Sequence, residues 1–145
     1  MPIIEVSEIR RRLLQALDQA KRASAERRTR AEAAARAYEE FLERLATPVF
    51  RMFAMALKAE GHAFEVFTPA GGLRLMSARA AEDFIELFLD IDSDPPIVAA
   101  RINRGRGRRL VTTERPVREA TGVEQLSDED VVQFLLREIG PFLER

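Results

Sequence analysis

The stretch from Glu5 to Leu45 contains neither glycine nor proline. It is rich in Ala, Glu, Arg and Leu, the strongest helix formers, and so reads as one long helix. One row of positions runs along it: Val6, Ile9, Leu13, Leu17, Ala20, Ser24, Arg27, Ala31, Ala34, Tyr38, Phe41 and Leu45. Their mean spacing of about 3.55 residues falls between the coiled-coil repeat and the straight-helix repeat. Opposite charges four apart, at Glu26/Arg30, Arg28/Glu32, Glu32/Arg36 and Glu40/Arg44, suit a solvated outer face.

At 1.5 Å per residue the helix spans roughly 60 Å, about twice the diameter of the domain the rest of the chain can form. One end packs on that domain and the remainder projects. A projecting helix with an apolar seam ordinarily meets another helix, so the large seam residues Ile9, Leu13, Leu17, Tyr38, Phe41 and Leu45 are the candidates for self-association, most simply as a homodimer. The middle of the seam offers only alanine and arginine and is weak. The alternative is a helix that lies across its own sheet with a frayed amino-terminal half.

Beyond Leu45 the pattern changes. Pro48 disfavours helix at Thr47, so a break is expected there, with Thr47 as cap and Pro48 opening a second helix. Val49, Phe50, Met52, Phe53, Met55, Ala56 and Leu57 make that helix apolar nearly all round, as a core element would be, and Gly61 is a fitting stop. From His62 the period becomes two: "HAFEVFT", the turn "PAGG" and "LRLMS" form a hairpin. "DFIELFLDID" reads as a strand, with a helix over 78–89 as the competing assignment. "PIVAARINR" and "RRLVTTERPV" give two more strands, and 116–126 is a polar connection. Ser127 and Asp130 form a capping box for a last helix that Gly140-Pro141 should end. The expected fold is α+β, an antiparallel sheet of four to five strands covered on one face by helices. It divides into a projecting helix (1–46) and a head (47–145).

Much chemistry is excluded by composition. There is no cysteine, hence no disulfide, thiol nucleophile or thiolate zinc site. The sole histidine, His62, has no evident partner, and no serine sits in a nucleophile elbow. Asp90, Asp92 and Asp94 imitate the start of a calcium loop, but Pro95 and Arg101 stand where Gly and Glu are required. No glycine-rich phosphate cradle is present. The expectation is a protein without catalytic residues, cofactor or metal. No window approaches 18 apolar residues and the amino terminus lacks a signal-peptide core, so a cytoplasmic, non-membrane protein is expected.

The formal net charge of −1 conceals a segregation. Residues 97–118 carry seven basic groups and one acidic, whereas 60–96 carry eight acidic and two basic. Pairing the strand at 97–104 with an acidic neighbour would cancel much of this internally. The remaining basic density lies in "RINRGRGRRL", where Gly105 and Gly107 allow a tight hairpin turn. Arg101, Arg104, Arg106, Arg108 and Arg109 are the candidates for binding an anion or an acidic protein partner. Nucleic acid is less favoured, because no aromatic residue lies between the arginines and the pI is near 6.0. The expected function is a non-catalytic interaction or adaptor protein that pairs through its helix and binds a partner with its head. A nucleic-acid-binding regulator is the alternative, and a small-ligand or enzyme domain the third possibility.

Overall fold

The computed structural model describes residues 3–144. Its first element, α1, is an unbroken helix over Val6–Phe41. A π-helical turn, Leu42–Ala46, joins it to α2, Thr47–Ala59. The expected break at Pro48 does not occur. Thr47 keeps helical angles (φ −63°, ψ −46°) and caps nothing; its N–H donates to the carbonyl of Leu42, five residues back. Pro48 has no N–H to give, a defect tolerated in the first turn of α2. The wider turn takes up the mismatch while the backbone stays helical. Gly61 stops α2 as expected: with φ +90° it lets its own N–H reach Lys58 and that of His62 reach Leu57.

Five antiparallel strands follow as a meander in chain order: β1 (Phe64–Phe67), β2 (Leu73–Ser77), β3 (Phe84–Asp90), β4 (Ile97–Arg106) and β5 (Arg109–Pro116). The competing helix over 78–89 is therefore wrong. Alternation of Ile85, Leu87 and Leu89 puts them in register with Ile102, Ala100 and Val98 across β4. Leu75 and Leu73 extend the same rows on β2. This apolar face is closed by α2 and by α3 (Asp128–Leu143), which supplies Val131, Phe134, Leu135, Ile139 and Phe142.

Two apolar expectations change. Val49, Phe50, Ala54 and Leu57 of α2 are buried, but Met52, Met55 and Ala56 face solvent, because sheet and α3 cover only one side of the helix. The connection 116–126 is less polar than it reads: Val117, Val123 and Leu126 are buried, and a 3-10 turn at Val123–Gln125 packs against the end of α1.

The capping box of α3 forms as expected. The Ser127 hydroxyl accepts from the Asp130 N–H at 3.2 Å, and the Asp130 carboxylate accepts from the Ser127 N–H at 2.9 Å. Gly140-Pro141, however, does not end the helix. Pro141 lies within the last turns, and continuing the helix keeps Phe142 on the buried stripe of Leu135 and Ile139.

Candidate functional site

The first candidate surface is the free part of α1. Every residue from Ile9 to Arg22 is exposed. Arg30, 4.0 Å from Asp94, makes the outermost ion pair between α1 and the head among the described residues. Residues 6–29 therefore project by about 36 Å of helix. Along them Ile9, Leu13 and Leu17 are 53%, 55% and 49% exposed, with Val6 and Leu14 beside them. Such contiguous exposure of large aliphatic residues is unusual unless another surface covers them.

The six seam residues thus divide. Ile9, Leu13 and Leu17 are free, whereas Tyr38 and Phe41 are buried in the chain's own core and Leu45 is half-buried against it. A single row in sequence is used twice in space, because the head docks on the last turns of the helix.

Where α1 meets the head, a shallow groove of about 340 Å³ opens between Ala33, Ala34, Ala37, Pro95, Pro96 and Val123, with Arg30 and Glu124 at its edge. A second groove of similar size continues past Ala37 to Glu40, Phe41 and Leu126. Nothing in the sequence flagged either one, since they join three separated segments. Small alanines facing a docked 3-10 turn are their one local sign.

The second candidate surface is on the sheet. Here the arginines expected to act together are separated. Arg101 stands mid-sheet in a cross-strand row running Arg74, Glu86, Arg101, Glu114 over β2 to β5. Glu86 lies 3.2 Å from Arg74 and 3.8 Å from Arg101, and Arg101 is 3.6 Å from Glu114. This is the internal cancellation that charge segregation implied. Arg101 is consequently balanced before any partner arrives.

Arg106, Arg108 and Arg109 are exposed at the β4–β5 turn, and Arg104 is half-buried beneath it. None of these four forms an ion pair among the described residues, although Arg104 and Arg106 share a groove with Glu82, Pro141 and Glu144. The two glycines have different reasons. Gly107 alone has positive φ, +60°, at the first position of a two-residue turn, the type II′ pattern. Gly105 is still paired within β4; its N–H donates to Asp83 at 2.8 Å, and a side chain there would meet Glu82 at 2.9 Å. It serves close approach, contrary to the expectation that both glycines serve the turn.

Sequence reasoning also missed the aromatics of this face. Phe84 and Phe88 project from β3 on the side away from the helices, and the guanidiniums of Arg74 and Arg101 lie 4.1 and 5.4 Å from their ring centres. Phe67 and Met76 join them from β1 and β2. The alternation of Phe84, Glu86 and Phe88 was the available signal.

A further concavity, about 550 Å³, is lined by Arg115, Arg118, Arg137, Glu119, Asp130 and Phe134. Its cations have carboxylate partners: Arg118 is 3.4 Å from Asp130, and Arg115 is 3.4 Å from the buried Glu138. His62 is exposed on the α2–β1 junction. The Asp90 carboxylate accepts from the Asp92 N–H and the Ser93 hydroxyl, ordinary turn bonding. No metal-binding cluster of acidic or histidine residues occurs among the described residues, and no helix among them is long and apolar enough to cross a membrane. No protein-family model matches the chain, and no curated protein or solved structure is significantly similar to it.

Proposed function

We propose that the chain is a cytoplasmic, non-catalytic interaction protein that self-associates through α1 and binds a partner with its head. The observation that carries this reading is the free stripe of Ile9, Leu13 and Leu17 on a helix projecting beyond its own domain. Burying three such side chains in a pair of helices removes enough apolar area to favour association by several kcal/mol per pair. In the head, Arg104, Arg106, Arg108 and Arg109 supply the recognition surface, suited to an acidic protein segment. Solution mass by light scattering tests the first half. Twice the 16.4 kDa monomer is expected, falling to the monomer in Leu13→Asp with the head's thermal unfolding unchanged. A wild-type monomer, or a Leu13→Asp dimer, sinks the reading.

A second reading is favoured by the same unpaired arginines together with Phe84 and Phe88 on the open face: single-stranded nucleic acid, with paired heads doubling the phosphate contacts. It predicts salt-dependent binding of an oligonucleotide that disappears in Arg104→Ala/Arg106→Ala/Arg108→Ala while the mass stays unchanged. Binding that survives that triple variant excludes it.

A further inference from the structure

We infer that an extended segment of a partner protein adds antiparallel to the free edge of β5, its acidic carboxy-terminal end meeting the arginines of the β4–β5 turn. The inference rests on the acidic-segment reading of those arginines given above and specifies how the segment lies. The sheet has two outer strands. β1 is four residues long, the short form in which sheet edges are commonly left, whereas β5 runs for eight. The N–H of Gly105 donates to the Asp83 carboxylate and not to Leu110, its opposite residue on β5. That pair therefore makes no ladder bond, and alternation points the N–H groups of Leu110, Thr112 and Glu114 away from β4. The three find no backbone acceptor among the described residues. Pro116, next in the alternation, has no N–H to offer and closes the edge at its far end.

The middle of β5 lacks the devices that ordinarily protect an edge. It pairs with β4 one residue to one from Arg109 to Pro116, without a bulge. Leu110, Val111, Thr112 and Thr113 carry no charge and are apolar or β-branched, with Leu110 and Val111 64% and 39% exposed. Glu114 and Arg115 are offset within the chain, by Arg101 at 3.6 Å and Glu138 at 3.4 Å. Unpaired charge returns only at the turn, where Arg106, Arg108 and Arg109 are exposed with no ion pair among the described residues.

Main-chain bonds to these amides favour a chain that is already extended, and β-branched residues suit the uncharged stretch. The arginines call for carboxylates at one end only. Antiparallel addition, the more stable pairing, brings the segment's carboxy terminus to Arg109, where its negative charge adds to the attraction. A second copy of β5 fits less well. The self-pairing that uses all three amides turns about Thr112 and sets Arg109 directly opposite Arg115, a repulsion between like charges.

The test uses the full chain and a synthetic peptide of alternating valine and threonine that ends in glutamates. A second peptide carries N-methyl groups on its valine and threonine amides, which keep its charge and remove its ladder bonds. Binding of the first peptide that weakens with salt is expected. Hydrogen exchange should slow at Leu110, Thr112 and Glu114 and stay unchanged at Val111 and Thr113, which already bond to β4. The methylated peptide, and the first peptide on Thr112→Pro, should bind at least about tenfold more weakly. Thr112→Ala, which loses only the hydroxyl bond to Asn103, should match the wild type. If Thr112→Pro fails to fold, the methylated peptide decides alone. Equal binding of the two peptides, or binding that leaves the three amides exchanging freely, overturns strand addition and leaves the acidic-segment reading standing. Amides slowed before any peptide is added, and more so at higher protein concentration, assign the edge to a second copy and overturn the inference. Failure of both peptides to bind overturns the inference and the reading together.

Discussion

Tyr38 carries a hydroxyl that is buried with no hydrogen-bond partner among the described residues. Burial, and then the negative charge of Glu86, raise its pKa well above the ordinary phenol value of 10.0. An unpaired buried hydroxyl costs roughly 1–3 kcal/mol, so Tyr38→Phe should leave the protein as stable or stabilise it by about 1 kcal/mol. The sign of the pH effect follows from the raised value. The unfolded chain ionises first, so stability is intact below pH 10.0 and declines above it. Denaturant unfolding at pH 8 and at pH 10.5 should therefore show an alkaline loss in the wild type that is smaller in Tyr38→Phe. At this scale the sequence was read unevenly. Gly61 was legible because a helix end and a following strand state its role locally. Gly105 was not, because the neighbour that demands a small residue, Glu82, belongs to a different strand connection.

Among the elements, α3 depends most on its first turn. The capping box satisfies amides that the helix cannot, and the bonds from Ser127 hold the Asp130 carboxyl below its usual range, with Arg118 adding to the effect. Ser127→Ala should cost about 1 kcal/mol, measurable as a lowered denaturation midpoint with an unchanged slope. The contribution of Asp130 is present above the ordinary carboxyl value of 3.8 and is lost as pH falls through its depressed folded value. Acid titration of the wild type should thus show a step that Asp130→Asn lacks. Strand periodicity was legible because one face of the sheet is buried: Ile85, Leu87 and Leu89 alternate with Glu86 and Phe88. The ends of helices were misread at both prolines. Pro48 sits in the first turn of α2, where the missing N–H costs little, whereas Pro141, in the last turns of α3, forfeits a backbone bond that burial of Phe142 outweighs.

For the molecule as a whole, the projecting half of α1 has no tertiary support of its own. Helical stability in proteins comes mostly from packing an apolar face rather than from propensity, so the order of this segment should depend on association. Dilution below the dissociation constant, or Leu13→Asp, should lower the helical ellipticity at 222 nm while near-ultraviolet signals from the head stay constant. Loss of both signals together would show that helix and head unfold as one unit. The sequence by itself determined the α+β class, the long helix, the strand order along the chain and the caps at Gly61 and Ser127, because each is written in periodicity or in residues a few positions apart. Only the tertiary structure decided that Tyr38 and Phe41 are buried by the head while Ile9, Leu13 and Leu17 stay free. It alone decided that Arg101 is neutralised by Glu86 and Glu114 while the turn arginines have no ion pair among the described residues, and that Ala34 and Pro96 share a groove with Val123. These are contacts between residues far apart in the chain, and no local periodicity encodes which distant segment will lie beside another.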